Sequence, residues 1–304
     1  MMLEEFTPIE FPRDEASHRD MVEWWYFNGH LKDDGGQEYS FMDCLFQVDV
    51  HRCAVPLLNK TPLKFLYFSH SLLSDISHNI FKSTLNPFLW FKKINFKKTG
   101  DNIYHLKNKY VDLQMISTKA PLLEGGHGYL RLGSKATYYY SLTNLQTSGH
   151  IKINNKWIAV SGKSWMDHQW ANANYSGDKW DWFSIQLDDN TEIICFAHND
   201  NGVKTYLADI VYADGGREYF NEAEIIPSTE TWTSPKTGAS YPTAWTMKIP
   251  ARNIELKLTA KIKQQEVLFA YINYWEGALA VTGNFSGQPV RGDAFMELVG
   301  YQKK

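Results

Sequence analysis

Two short stretches hold most of the side chains whose types and spacing could do chemistry. The first is Glu23-Trp24-Trp25-Tyr26-Phe27, preceded by Phe11-Pro12-Arg13-Asp14 and His18. The second is Gly162-Lys163-Ser164-Trp165-Met166-Asp167-His168-Gln169-Trp170. Carboxylate, imidazole and indole recur together in both. Carboxylates and imidazoles move protons, while indole and phenol rings offer large apolar faces with one polar tip. The combination suits a pocket for an apolar molecule that also presents an acid or a base. Either stretch alone has an ordinary explanation: adjacent aromatics on a strand are commonly core on one face and packing on the other, and an Asp-His pair commonly ends a strand. Their recurrence near a junction of two halves, a preferred place for pockets, favours a site.

Several other chemistries lack their motifs. There is no G-x-S-x-G elbow. Gly162-Lys163-Ser164 lacks the upstream glycine of a phosphate loop, and no G-x-G-x-x-G follows a strand. Cys195 and His198 have zinc-like spacing, but residues three apart on a strand point to opposite faces. We therefore expect no metal and no cofactor.

The elements that must position these residues are strands. Glu23 to Leu31 ends at the turn cluster Asp33-Asp34-Gly35-Gly36, and Glu38 to Val50 follows, which makes a hairpin. Thr137 to Ser161 reads as a meander, and further pairs run to Tyr301. Trp24, Phe27 and Leu31 match Trp180, Phe183 and Leu187 at one constant offset, each followed by paired aspartates. This points to two similar halves. Many short strands at this spacing mean sandwiches or barrels. Ser71 to Gly100 is the exception: Leu72, Leu73, Ile76, Ile80 and Phe81 have loose helical spacing, followed by the basic aromatic stretch Phe88 to Lys98. We expect an elaboration over the mouth of the first half, in which Phe88, Trp90, Phe91, Lys92 and Lys93 make peripheral membrane contact.

The chain has 304 residues, 43% hydrophobic and 21% charged, enough for a packed core. A net charge of -3 gives no pull toward nucleic acid. Three cysteines make no disulfide framework, and no apolar run reaches the roughly 18 residues of a membrane span. The N-terminus is acidic where a secretory leader is basic and apolar. A cytoplasmic location, with the peripheral membrane contact above, is the expectation.

The ordered motifs also resemble a known family. Phe11-Pro12-Arg13-Asp14, His18, Glu23 to Leu31, Phe68-Ser69-His70, Tyr138-Tyr139-Tyr140-Ser141, Ser164 to Trp170, Tyr274-Trp275-Glu276-Gly277 and Glu297-Leu298-x-Gly300-Tyr301 look like the carotenoid 1,2-hydratase family. That family includes hydroxyneurosporene synthase and the AttH-like proteins. The resemblance implies an all-β fold of two tandem lipocalin-like β-barrel domains, at 11–172 (with an insertion at about 71–100) and 173–304, with the motifs gathered near their junction. It implies an apolar isoprenoid or polyene ligand and a hydratase. In that chemistry a neutral carboxylic acid protonates an alkene, rings stabilise the carbocation and water adds. Asp167 is the first candidate acid, with His168 orienting it or placing the water. Glu23 is the alternative acid, with Trp24 and Tyr26 on its strand. Trp165 and Trp170 are ring partners, and Tyr274 or Glu276 contributes from the second half. The alternatives are a non-catalytic lipid or isoprenoid carrier, in which Asp167 and Glu23 are structural, and a cyclase-like enzyme of natural-product biosynthesis.

Overall fold

A computed structural model describes residues 6–86, 96–175, 177–269 and 272–301. The first half contributes β1 (Val22–Lys32), β2 (Glu38–Asp49), β3 (Phe65–Asp75), β4 (Ile80–Asn86), β5 (Phe96–Gly100), β6 (Ile103–Lys107), β7 (Val111–Ser117), β8 (Leu122–Leu123), β9 (Tyr129–Leu132), β10 (Lys135–Ile153) and β11 (Lys156–Ala171). The second contributes β12 (Lys179–Leu187), β13 (Glu192–Asp200), β14 (Val203–Val211), β15 (Arg217–Phe220), β16 (Glu224–Pro227), β17 (Thr231–Thr233), β18 (Ser240–Pro242), β19 (Ala244–Ile249), β20 (Ile254–Ala260), β21 (Glu266–Phe269), β22 (Ile272–Phe285) and β23 (Gln288–Val299). The fold is all-β, built from two large curled antiparallel sheets of lipocalin type and a two-stranded one, β17–β18, with only single-turn 3-10 helices among the described residues. None of those helices is long and apolar enough to cross a membrane.

The strand order shows the internal similarity directly. The first sheet runs β4-β3-β2-β1-β11-β10-β7-β6-β5 and the second β15-β14-β13-β12-β23-β22-β20-β19-β16. In each, the opening strand lies between the second strand and the last one. The matched residues occupy equivalent places: Phe27 and Phe183, and Leu31 and Leu187, are buried in the cores of their own sheets, while Trp24 and Trp180 pack half-buried on a third cluster between the sheets.

That third cluster determines the burial pattern. A sheet covered on both faces buries successive residues in opposite directions. Along β1, Trp25, Phe27 and Leu31 fill the first core, and Tyr26 joins the cluster between the sheets. β12 does the same with Phe183, Ile185 and Leu187 inward and Trp182 toward the junction. Apolar and aromatic residues point to both sides of such strands, so the alternation is hidden in the sequence. The same effect overturns the helical reading of residues 71–86. These residues form the hairpin of β3 and β4, paired from Asp75–Ile80 to Ser69–Asn86. Leu72 and Leu73 are both buried because one faces the junction and the other the first core.

Candidate active site

β1 and β11 pair in register, Glu23 opposite Trp170, Trp25 opposite His168 and Tyr26 opposite Asp167. Partners share a face, and neighbours along a strand do not. The candidate residues therefore divide between the two sides of this strand pair.

On the junction side, the Asp167 carboxyl is buried and held by three neutral donors. Tyr139 donates its hydroxyl to Oδ2 at 2.8 Å, and Trp165 Nε1 and Ser141 Oγ approach Oδ1 at 2.5 and 2.6 Å. Tyr139 in turn accepts from Trp182 Nε1 of the second half at 3.0 Å. Ser141 Oγ also lies 2.6 Å from Glu124 Oε1. One hydroxyl hydrogen cannot serve two carboxylate oxygens, so one of these two acids must itself carry a proton. Burial raises Asp167 from 3.8 to about 7, against the lowering effect of its three hydrogen bonds. Burial, then the neighbouring Asp209, pushes Glu124 well above the carboxylate range, and burial lifts Asp209 to about 6. A second pair of acids faces them from β22 and β23, where Glu276 and Glu297 sit directly opposite one another. Tyr26 donates to Glu276 Oε2 at 3.0 Å. Burial, followed by the charge of Glu297, holds Glu276 well above its usual range, and burial brings Glu297 to about 7.

Rings enclose these acids. Trp182 meets Tyr26 edge-on at 5.3 Å and Trp165 at 6.5 Å. Toward the surface, half-buried Trp24 contacts Phe46 and Tyr175, and Phe46 stacks on Phe68 at 4.7 Å. His70 follows, stacked on Tyr274 at 5.5 Å and hydrogen-bonded to its hydroxyl. Burial keeps His70 neutral, at about 4. The arrangement sets neutral carboxyls against electron-rich ring faces.

On the opposite side lies a different group. Glu23 Oε1 is 2.7 Å from His168 Nε2 and 2.8 Å from His18 Nδ1. Glu23 Oε2 accepts the His18 backbone N–H at 2.9 Å and Gln47 Nε2 at 3.1 Å. Burial works against the Glu23 charge, but hydrogen bonds from His168 and His18 outweigh it and hold the carboxyl below its usual range. Trp170 stacks on His18 at 3.9 Å and Trp25 on His168 at 4.7 Å.

Of the residues singled out in the sequence, Trp24, Tyr26, Trp165, Asp167, Tyr274 and Glu276 thus come together at the junction, and Glu23, His168 and Trp170 do not. Three expectations are corrected. His168 cannot orient Asp167, because adjacent strand residues face opposite ways; Tyr139, Ser141 and Trp165 do so instead. Glu23 shares no face with Trp24 or Tyr26, and its ionised state is the wrong one for a general acid. Trp170 is a ring partner of His18, not of Asp167. Tyr139, Ser141, His70 and Glu297 sat inside the motifs quoted above but were not assigned. Glu124, Trp182 and Asp209 were missed, and only the repeat placed Trp182 on an opening strand. Phe88, Trp90, Phe91, Lys92 and Lys93 lie outside the described residues. Nearby, Phe96 packs on Trp25 and Phe27, and Lys98 pairs with Glu15 at 2.7 Å.

Comparison with known proteins adds a family pattern. The sequence model of the family described as AttH-like matches residues 83–301. The dehydratase asqC of Emericella nidulans is 23% identical over 272 residues, covering 83% of this chain and 76% of that protein. Kievitone hydratase of Fusarium solani subsp. phaseoli is 24% identical over 219 residues, covering 66% of this chain and 61% of that protein. Among solved structures, a putative AttH from Nitrosomonas europaea superposes with a TM-score of 0.85 at 26% identity over 99% of both chains. Kievitone hydratase from Nectria haematococca superposes at 0.76 with 18% identity, over 92% of this chain and 89% of that one, a likeness of fold.

Proposed function

The chain belongs to the AttH-like family, and on that premise we propose that it adds water to, or removes it from, an apolar molecule of isoprenoid or polyene type held between its two halves, with Asp167 as general acid. The observation that carries this reading is the Asp167–Ser141–Glu124 chain, buried among rings and geometrically required to hold a proton. The similarity to a hydratase and a dehydratase supports the reaction type.

In hydration, Asp167 gives its proton to one alkene carbon, and the other carbon becomes a cation facing the rings of Tyr26, Trp165 and Trp182. Water adds there and loses a proton to the Asp167 carboxylate, so the acid is restored. Dehydration runs the same steps backward: Asp167 protonates a hydroxyl, water leaves, and the carboxylate removes a proton from the adjacent carbon. Asp167 and Glu124 share the retained proton through Ser141, whose hydroxyl accepts from one acid as it donates to the other. The half-exposed rings Trp24, Phe46 and Phe68 mark the approach for substrate.

The test is incubation of the purified chain with isoprenoid alkenes, and with the matching tertiary alcohols, in water enriched in heavy oxygen. Label in a newly formed alcohol, or loss of water from the alcohol, is expected. An isomeric, unlabelled product would replace the reading with cyclisation, and binding without conversion would replace it with carriage.

A further inference from the structure

We propose that His18, Glu23 and His168 bind a transition-metal dication of the zinc class, inside the first sheet and on the other side of β1 and β11 from Asp167. One ligand atom from each lies within 4.8 Å of the others. Both imidazoles aim a ring nitrogen at the same atom, Glu23 Oε1.

Each imidazole also has a partner on its far side. His18 Nε2 faces Asp14 Oδ1 at 3.3 Å. That carboxylate is already gripped by Arg13, at 2.9 Å through Nε and 2.7 Å through Nη2, so toward His18 it acts as an acceptor. His168 Nδ1 faces the Tyr140 hydroxyl at 3.2 Å. In the metal-free chain the inner nitrogens donate to Glu23 Oε1. When the outer nitrogens carry the protons instead, toward Asp14 and Tyr140, each imidazole turns a lone pair inward, and a dication among the three ligand atoms takes up both lone pairs and the carboxylate charge as the inner protons leave to solvent. Imidazole held from behind by a carboxylate or hydroxyl, with its free nitrogen turned to a common point, is how protein metal ligands are oriented.

The third ligand is fixed just as firmly. Glu23 Oε2 is occupied by the His18 backbone N–H and Gln47, which turns Oε1 toward the two rings. Gln47 is itself held by the Tyr67 hydroxyl at 2.6 Å and donates to the His18 carbonyl at 2.7 Å. Trp170 and Trp25 stack on the imidazoles and limit their rotation. Bonds of about 2.0–2.1 Å in a tetrahedral site put ligand atoms about 3.3 Å apart. The present 2.7 and 2.8 Å contacts need to open by well under an ångström. Two nitrogens and one carboxylate oxygen match a zinc site that keeps a fourth position for water. Glu23 and His168 are fully buried, while His18 remains partly exposed and gives the ion a path in. The sequence hides this group because its members come from a loop, β1 and β11, with Glu23 and His168 145 positions apart.

The test is calorimetric titration of the full-length, chelator-treated chain with Zn2+. One equivalent is expected to bind and to raise the melting temperature, since an ion that binds only the folded state stabilises it. His18→Ala should abolish binding. Asp14→Asn keeps all three ligands and should weaken binding about tenfold, as loss of an outer partner does; it decides the matter should His18→Ala fail to fold. Wild-type protein that takes up no stoichiometric Zn2+, or undiminished binding in either folded variant, overturns the proposal.

Discussion

Asp167 has three hydrogen-bond partners, all neutral, in a wall of aromatic rings. Its rise from 3.8 to about 7 is about three units, so ionising it in place costs about 4 kcal/mol. That cost opposes folding and is what makes the residue an acid at neutral pH. Asp167→Asn removes it while keeping the shape: the amide oxygen can accept from Trp165 and Ser141, and the NH2 group can donate to Tyr139. We expect turnover to fall by about 10²–10⁴, while the melting temperature at pH 8 is unchanged or higher. A drop in both would mean that Asp167 serves packing alone. Tyr139→Phe probes the same group differently. It deletes a donor that favours the charged form, so the Asp167 pKa should move further up, by roughly one unit. The alkaline limb of the pH–rate profile should move with it. A purely structural tyrosine would lower the rate at every pH and leave the limb in place.

β11 carries Asp167 and His168 to opposite sides, so its register against β1 decides which site each residue belongs to. Gly162 protects that register. A Cβ there would stand 2.0 Å from the His30 carbonyl oxygen and 3.0 Å from Leu31 Cα, so the two backbones can approach only because position 162 has no side chain. Gly162→Ala is expected to destabilise the chain by about 1–3 kcal/mol or more through overpacking, seen as a lower denaturant midpoint. Unchanged stability would mean that the strands part at no cost. The same strand shows what the sequence made legible. The all-β class, the two related halves and most junction residues follow from aromatic strands, turn clusters and motif order. The faces do not: Trp24-Trp25-Tyr26-Phe27 and Trp165-Met166-Asp167-His168 lack polar alternation because both sides of the sheet are covered, and reading each cluster as one pocket ignored the period of two. Glu124 and Asp209 carry no local signal, since one sits in a single-turn 3-10 helix and the other near the end of β14, and only the packing of the two halves joins them.

At the scale of the molecule, the junction stores acid that must stay neutral, and this gives stability a particular dependence on pH. Asp167 and Glu297 rise to about 7 and Asp209 to about 6, with Glu124 and Glu276 higher still. They face Tyr26 from β1, Cys44 from β2, Tyr139 from β10, Trp182 from β12 and Tyr274 from β22, none of which supplies a positive charge. A carboxyl with a raised folded pKa binds more protons folded than unfolded, so stability falls as pH rises from the unfolded value of about 4 through about 7. Between pH 6 and 8 each group near 7 accounts for about 1.4 kcal/mol of that loss. His30 and His70, both lowered to about 4 by burial, act the other way: their contribution is intact above about 6.5 and is lost as pH falls through 4. The paired Glu23 and Asp14, with lowered values, add to the loss at the acid end. Between about pH 4 and 6.5 the five raised carboxyls outweigh the two lowered histidines, so the melting temperature should peak near about pH 4–5 and decline by several degrees from pH 6 to 8. The double variant Asp167→Asn, Glu297→Gln should make the alkaline decline shallower, leaving the part that belongs to Glu124 and Glu276, and leave the loss below about pH 4 unchanged. A melting temperature that holds level or rises from pH 6 to 8 in the wild-type chain would mean that these carboxyls ionise freely, and the neutral-acid site between the halves would fall with it.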